Sequence, residues 1–204
     1  GTLFPYTTLF RSEPAFNPDG TGHITGADSK WAARDWSVPV DLNTTDFYFA
    51  ALLRMSGTNI RTRVEFYDGP GATGNMRLNV GLNDYDADGN PDLYVHATQG
   101  IYPADAATNT AWISGETNYL LVAKRGASGV SASLWIGDTH APAEPSVWDV
   151  SMAGSSGVDL QSLKMAVSSG EVRLDELSIA TTFDEAVAGL PVAIETNMLL
   201  THPA

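Results

Sequence analysis

Four aspartates fall on a tight pattern in the stretch DYDADGNPD: Asp84, Asp86, Asp88 and Asp92, with Asn90 ahead of the last. Calcium is a hard cation that takes roughly six to eight oxygen ligands, and alternate carboxylates in a short loop supply them. Counted from Asp84, the aspartates stand at positions one, three, five and nine. Gly89 allows the sharp bend, and Asn90 offers its carbonyl. An EF-hand loop needs an acid at position twelve, where this chain has Val95, so the match is to a shorter kind of loop. The alternative is a solvated acidic hairpin turn made by Asp88-Gly89. Crowding four carboxylates with no cation between them is electrostatically costly, which favours the metal.

Asp175 and Glu176 invite an acid/base reading. Catalytic carboxylates face one substrate bond across several ångströms. Adjacent strand residues point to opposite faces, so this pair needs a bulge to cooperate. The apolar pattern Val172, Leu174, Leu177, Ile179 slips phase at that point and predicts one. A structural role, with one carboxylate bonding loop backbone, is the stronger reading of the pair. Aromatic rings suit the apolar faces of sugars, and Tyr102, Trp112 and Trp148 fall in predicted loops. The competing reading is that those loops fold back and bury them. Trp36 and Trp135 lie inside predicted strands and are expected in the core.

Other chemistries find no support. There is no cysteine, which excludes disulfides, thiol nucleophiles and cysteine metal sites. There is no G-x-S-x-G elbow and no H-E-x-x-H pair. The four histidines, His23, His96, His140 and His202, are scattered. The glycine-rich turns at 126–129 and 154–157 lack the lysine and helix of a phosphate loop. A formal charge of −13 repels nucleic acid and anionic membranes. The apolar run 47–53 is far too short to cross a bilayer.

The elements that must position these groups are short strands. Gly, Asn and Asp punctuate segments of strand composition at 36–41, 47–55, 61–67, 76–82, 92–97, 119–124, 130–136, 163–168 and 171–180. In 61–67, Thr62, Val64 and Phe66 share one face while Arg61, Arg63 and Glu65 share the other, the period of a half-buried strand. Only one short helix is expected, after Thr182, with Glu185 completing a capping box and Gly189 as the stop. The expected fold is all-β: a two-sheet antiparallel β-sandwich with one short C-terminal helical turn. Phe49, Leu52, Val64, Leu121, Leu134, Val167, Leu177 and Ile179 are expected in its interior.

The stretches RDWSVPVDLNTTDFYFAALLRM, TNYLLVAKRG, SASLWIG and VDLQSLKMAVSSGEVRLDELSIATTFDEAV resemble the strands of concanavalin A-like, laminin-G-like jelly rolls of bacterial secreted proteins. That resemblance spans about residues 31–188. It implies a jelly roll, an extracellular or cell-surface location, and a glycan or cell-surface polymer as partner. The D-x-D-x-D-G-x-x-D pattern is similar to the calcium loops of integrin-like and thrombospondin-like repeats. The E-x-D-x-E signature of the retaining glycosidases with this fold is absent, because no glutamate has an aspartate two residues on. Residues 2–12, TLFPYTTLFRS, resemble a translated sequencing adapter, as from a metagenomic fragment. The expected organisation is thus a non-native segment at 1–12, one jelly roll at 13–190 short of part of its first strand, and a tail at 191–204. The expected function is a non-catalytic binding or adhesion module with a calcium-stabilised loop. A structural module of a larger surface protein and a divergent glycan hydrolase or lyase are the alternatives.

Overall fold

In the computed structural model, residues 22–25, 30–97, 106–107, 118–136, 143–153 and 159–188 are described. Among the described residues ten strands run in the order β1 (Gly22–Thr25), β2 (Lys30–Asp41), β3 (Phe47–Tyr67), β4 (Met76–Asn83), β5 (Asp92–His96), β6 (Ala106–Ala107), β7 (Asn118–Gly126), β8 (Gly129–Ile136), β9 (Val150–Ala153) and β10 (Asp159–Ala180). Helix α1 (Phe183–Ala188) follows. All the pairings are antiparallel.

Two long strands build both layers. Residues 47–54 of β3 pair with β7, whereas residues 62–67 pair with β4. β10 follows β3 along its length, with register shifts around Ser169. Gly170 there takes a φ of 74°, a left-handed conformation that costs glycine little. The first sheet therefore reads β1–β10–β3–β7–β8–β9 and the second β2–β10–β3–β4–β5–β6. β5 packs across from β8 and β9. The segments expected separately at 47–55 and 61–67, and at 163–168 and 171–180, are thus single strands that bend from one sheet to the other. The place beside the closing strand is filled by β1, in a stretch that reads poorly as a strand.

The interior lies between the sheets and includes Phe47, Phe49, Leu53, Val64, Phe66, Leu78, Val80, Leu93, Val95, Leu121, Leu134, Met165 and Ile179. Of the expected core residues, Leu52 is the correction. It sits on the outward side of β3, half-buried in a second cluster under α1 with Tyr48, Leu120, Val122 and Phe183. The period of two explains it: Phe49, Ala51 and Leu53 face inward, so Leu52 faces outward. Trp135 corrects the same way and meets the Phe183 ring edge-on at 6.4 Å. The helix cap forms as its spacing implies, with the Glu185 N–H donating to Thr182 Oγ1 at 3.3 Å.

At one end of the sandwich Arg125 closes the space between the sheets. It is fully buried, and its guanidinium donates to the carbonyls of Gly126, of Gly129 (3.2 Å) and of Arg77 in the opposite sheet (3.1 Å). Burial, with the Arg77 charge nearby, pushes its pKa down.

Candidate functional site

The acidic motif closes the β4–β5 hairpin, between Asn83 and Asp92. Its shape follows from its own side chains. Asp84 Oδ2 accepts the Gly89 N–H at 3.1 Å, Asp86 Oδ1 accepts that of Asp88 at 3.1 Å, and Asp88 Oδ1 accepts that of Asn90 at 2.7 Å. Ala87 and Gly89 take positive φ values of 61° and 90° to make the tight coil. These turns draw Asp84, Asp86 and Asp88 together, with one carboxylate oxygen of each within 4.8 Å of the others. Oxygens on opposite sides of one calcium ion lie about 5 Å apart, twice the metal–oxygen distance, so the spacing fits a shared ion. Asp84 Oδ1 is closed off from solvent with no hydrogen-bond partner. A buried carboxylate oxygen left in that state is costly, and a cation is the group that relieves it. The residues present therefore fit a calcium ion.

Asp92 takes a different place from the other three. It is buried, and its Oδ2 accepts the Tyr85 N–H at 2.9 Å across the hairpin. It holds the loop's base and lies outside the group of three. Tyr85 in turn packs its ring on Tyr94 at 5.4 Å, and Tyr94 packs on His96 at 5.6 Å. A line of rings thus leads from the acidic loop along the outward side of β5.

That outward side of the second sheet carries a polar row in register. Lys164 stands opposite Glu65, Glu65 opposite Asn79, and Asn79 opposite His96, across β10, β3, β4 and β5. Glu65, Asn79 and His96 are nonetheless buried. Glu65 is bridged by Arg63 at 2.7 Å and Lys164 at 3.2 Å, and it accepts the Tyr67 hydroxyl at 2.9 Å. Burial, with the Glu65 charge beside it, raises the Tyr67 pKa well above its ordinary value. In the next row Arg63 faces Gly81, which faces Tyr94. A Cβ at Gly81 would meet the Thr62 carbonyl oxygen of β3 first and stand 2.8 Å from the Tyr94 hydroxyl, so the absent side chain lets both the neighbouring strand and that ring approach β4. Tyr94 also donates to Asn79 Oδ1 at a long 3.4 Å. None of this row was singled out from sequence. Alternation places Glu65 on the outward side of its strand, but only the register brings Asn79, Tyr94 and His96 beside it.

The other predicted residues divide. Asp175 and Glu176 lie at a register shift between Asp175 and Ser178, where the apolar pattern slips phase; their side chains are outside the described residues. Tyr102 and Trp112 fall outside the described residues, as do the side chain of Trp36 and residues 2–12 and 191–204. Trp148 is half-buried and packs edge-on against Phe183 at 6.4 Å, on the outward side of the first sheet and away from the polar row. Its neighbour loop is tied down by Glu144, which accepts from Tyr48 and Lys124 at 2.9 Å each. Burial opposes the Lys124 charge, but its contacts with Glu144, Tyr48 and Asp46 outweigh this and raise its pKa.

No protein-family model matches the chain, and no curated protein matches it. Solved structures match in fold. The exoplasmic/lumenal domain of VIP36, solved with Ca2+ and Man3GlcNAc bound, aligns over 84% of this chain and 87% of its own, at 11% identity and a TM-score of 0.52. A legume lectin-like domain from Entamoeba histolytica aligns over 80% and 84%, at 12% identity and 0.55. The metal-free carbohydrate recognition domain of Emp46p aligns over 80% and 83%, at 9% identity and 0.52. The chain therefore shares the concanavalin A-like jelly-roll fold of these domains. Among the described residues no helix is long and apolar enough to cross a membrane.

Proposed function

We propose that this chain is a non-catalytic glycan-binding module, working outside the cell or at its surface, with a calcium-stabilised loop at one end of its binding face. The cross-strand row Lys164–Glu65–Asn79–His96, buried at its middle and opening to solvent through Lys164, Arg63 and Tyr67, is the observation that carries this reading. Tyr94, fully buried over Gly81, braces it. Sugars are recognised by planar polar groups held at fixed angles. A sheet presents such groups rigidly, which lowers the ordering cost of binding. Arg63, Tyr67 and Lys164 stay partly exposed and offer the first contacts. Asp84, Asp86 and Asp88 are the proposed calcium ligands, with Asn90 and Asp92 completing or bracing the shell. Tyr102, Trp112 and Trp148 remain the candidate stacking residues. The mannose oligosaccharide and Ca2+ bound to VIP36, and that domain's lumenal setting, support the same ligand classes and location here.

Against a hydrolase or lyase stands the engagement of the face's acids. Glu65 is held by Arg63, Lys164 and Tyr67, and Asp92 by a backbone N–H, so neither is placed as a proton donor to a substrate. The packing of Trp148 against Phe183 favours the second reading, a structural module of a larger surface protein.

The test is a glycan array probed with and without calcium. The intact chain should retain a defined set of glycans. Glu65→Gln, shown by circular dichroism to remain folded, releases Arg63 and Lys164 from their fixed positions and should weaken them about tenfold, the order of the ordering cost of a long side chain. A chain that retains no glycan at any calcium concentration is a structural module instead.

A further inference from the structure

At the end of β3 remote from its bend, three segments far apart in sequence surround an open cavity of about 530 Å³. The turn from β2 to β3, residues 42–46, forms most of its wall. Ala127 of the β7–β8 hairpin and Thr181, between β10 and α1, complete it. The volume lies within the roughly 300–1,000 Å³ of small-molecule sites. We propose that this cavity binds one neutral sugar residue, or a polyol of that size, through Asp46, Asn43 and the threonines at 44, 45 and 181. The proposal shares its ligand class with the reading above but stands on different residues, at the other end of the sandwich from the acidic loop.

The lining chemistry selects the ligand. It holds three hydroxyls, one amide and one carboxylate, and no cationic side chain. The nearest cation, Lys124, is already paired with Asp46 and Glu144, so an anion finds little countercharge there. A single carboxylate is a poor start for a calcium shell, which uses several. Hydroxyl groups, however, both donate and accept. Two neighbouring hydroxyls can donate to the two oxygens of Asp46 while others accept from the second Asn43 amide proton or the Thr45 hydroxyl. Others can donate to the hydroxyl oxygens of Thr44 and Thr181, whose own protons go to Asp41 and Glu185.

The wall is also set before any ligand arrives. Asp41 accepts the Asn43 N–H at 2.8 Å, the Asn43 amide at 2.9 Å and the Thr44 hydroxyl at 3.1 Å, fixing the turn. Those hydrogen bonds hold the Asp41 pKa below its ordinary value. Asp46 is fixed by Lys124 at 3.0 Å yet remains 45% exposed. The hairpin passes close behind it, since a Cβ at Gly126 would stand 2.7 Å from Asp46 Oδ1. Leu42, only 1% exposed, anchors the turn in the core. Little freedom is then lost on binding.

The test is an amide-shift titration of the full chain with free glucose, mannose, galactose and glycerol, one at a time. At least one should give saturable shifts at Asn43, Thr44, Ala127 and Thr181. Asp46→Asn and Thr181→Val should each weaken that binding about tenfold, with thermal stability within a few degrees of the parent. The second variant leaves the Asp46–Lys124 pair intact and so separates lost ligand contacts from a disturbed turn. The proposal is overturned if no sugar saturates, if neither variant weakens binding, or if the shifts map to β3, β4 and β5 instead. Saturation of the same amides by calcium chloride, with no response to sugars, overturns it as well. Array binding lost in Glu65→Gln but kept in Asp46→Asn supports the sheet face alone. Cavity shifts beside a blank array support the cavity alone.

Discussion

Arg125 offers the sharpest test of how this sandwich is held shut. Replacing it with methionine keeps most of the stem's volume and removes the guanidinium. Three carbonyls, of Arg77, Gly126 and Gly129, then lose a charged donor. Hydrogen bonds to charged groups contribute about 1.5–3 kcal/mol each, and an acceptor left unsatisfied costs about 1–3 kcal/mol. Two of the three bonds are only part-buried, so water recovers some of that loss. Relief of the guanidinium's desolvation, the force that lowers its pKa, offsets more. The net expectation for Arg125→Met is a loss of about 2–4 kcal/mol, or roughly 5–15 °C in Tm for a chain of this size. Arg125→Lys restores the charge but not the fork that reaches both sheets, and should recover less than half. Urea unfolding reads both, with the midpoint falling and the m-value unchanged. A methionine variant within about 0.5 kcal/mol of the parent would refute the reasoning. It would mean that the apolar core alone fixes the two sheets at that end.

Calcium should raise the Tm of the intact chain, because a ligand that binds only the native state stabilises it by mass action. At a hundredfold excess over Kd the gain is about 2.7 kcal/mol, and Asp84→Asn should abolish it. No calcium-dependent shift in the parent, measured by scanning calorimetry, would remove the metal from the loop. Stability should also fall in acid through Asp68. Burial raises its pKa, but the Asn75 N–H and Arg77 outweigh this and hold it below the ordinary 3.8. A carboxyl depressed in the folded state stabilises fully above its unfolded pKa and loses that contribution as pH falls through the folded one. Urea midpoints below pH about 4 should therefore drop less steeply in Asp68→Asn than in the parent. Equal slopes would show that other carboxylates dominate.

The sheets were legible because alternation is a local signal. Val64 and Phe66 against Arg63 and Glu65 announce a strand with one wet and one dry side, and so does Met165 beside Lys164. What alternation does not carry is where a strand changes partner. β3 and β10 looked interrupted at their bends because serine, glycine and asparagine there break the pattern, yet their mutual pairing continues around the corner. Short strands such as β6 and β9 escaped for the opposite reason, since four residues or fewer give too little pattern to see. β1 hides in a glycine-rich stretch, and its pairing with the closing strand comes from tertiary contact.

The acidic loop was visible for a related reason: all of its chemistry lies within nine consecutive residues, and aspartates that turn the backbone also gather their own carboxylates. Even so, spacing could not tell Asp92 from the other three. It is the first residue of β5, where pleat and burial turn it toward the Tyr85 backbone. The polar row poses the harder case. Glu65, Asn79 and His96 each look like an unremarkable outward position of a half-buried strand. Their meaning arises only when four strands are laid side by side in one register, and a slip of one residue in β4 would turn Asn79 inward and bring Val80 out. A jelly roll thus records its fold in each strand separately but a cross-strand row such as this one only in their alignment. Gly81 makes the point in one residue. In the sequence it reads as a weak spot in a strand, whereas in the sheet its missing side chain gives Tyr94 room to lie across the row.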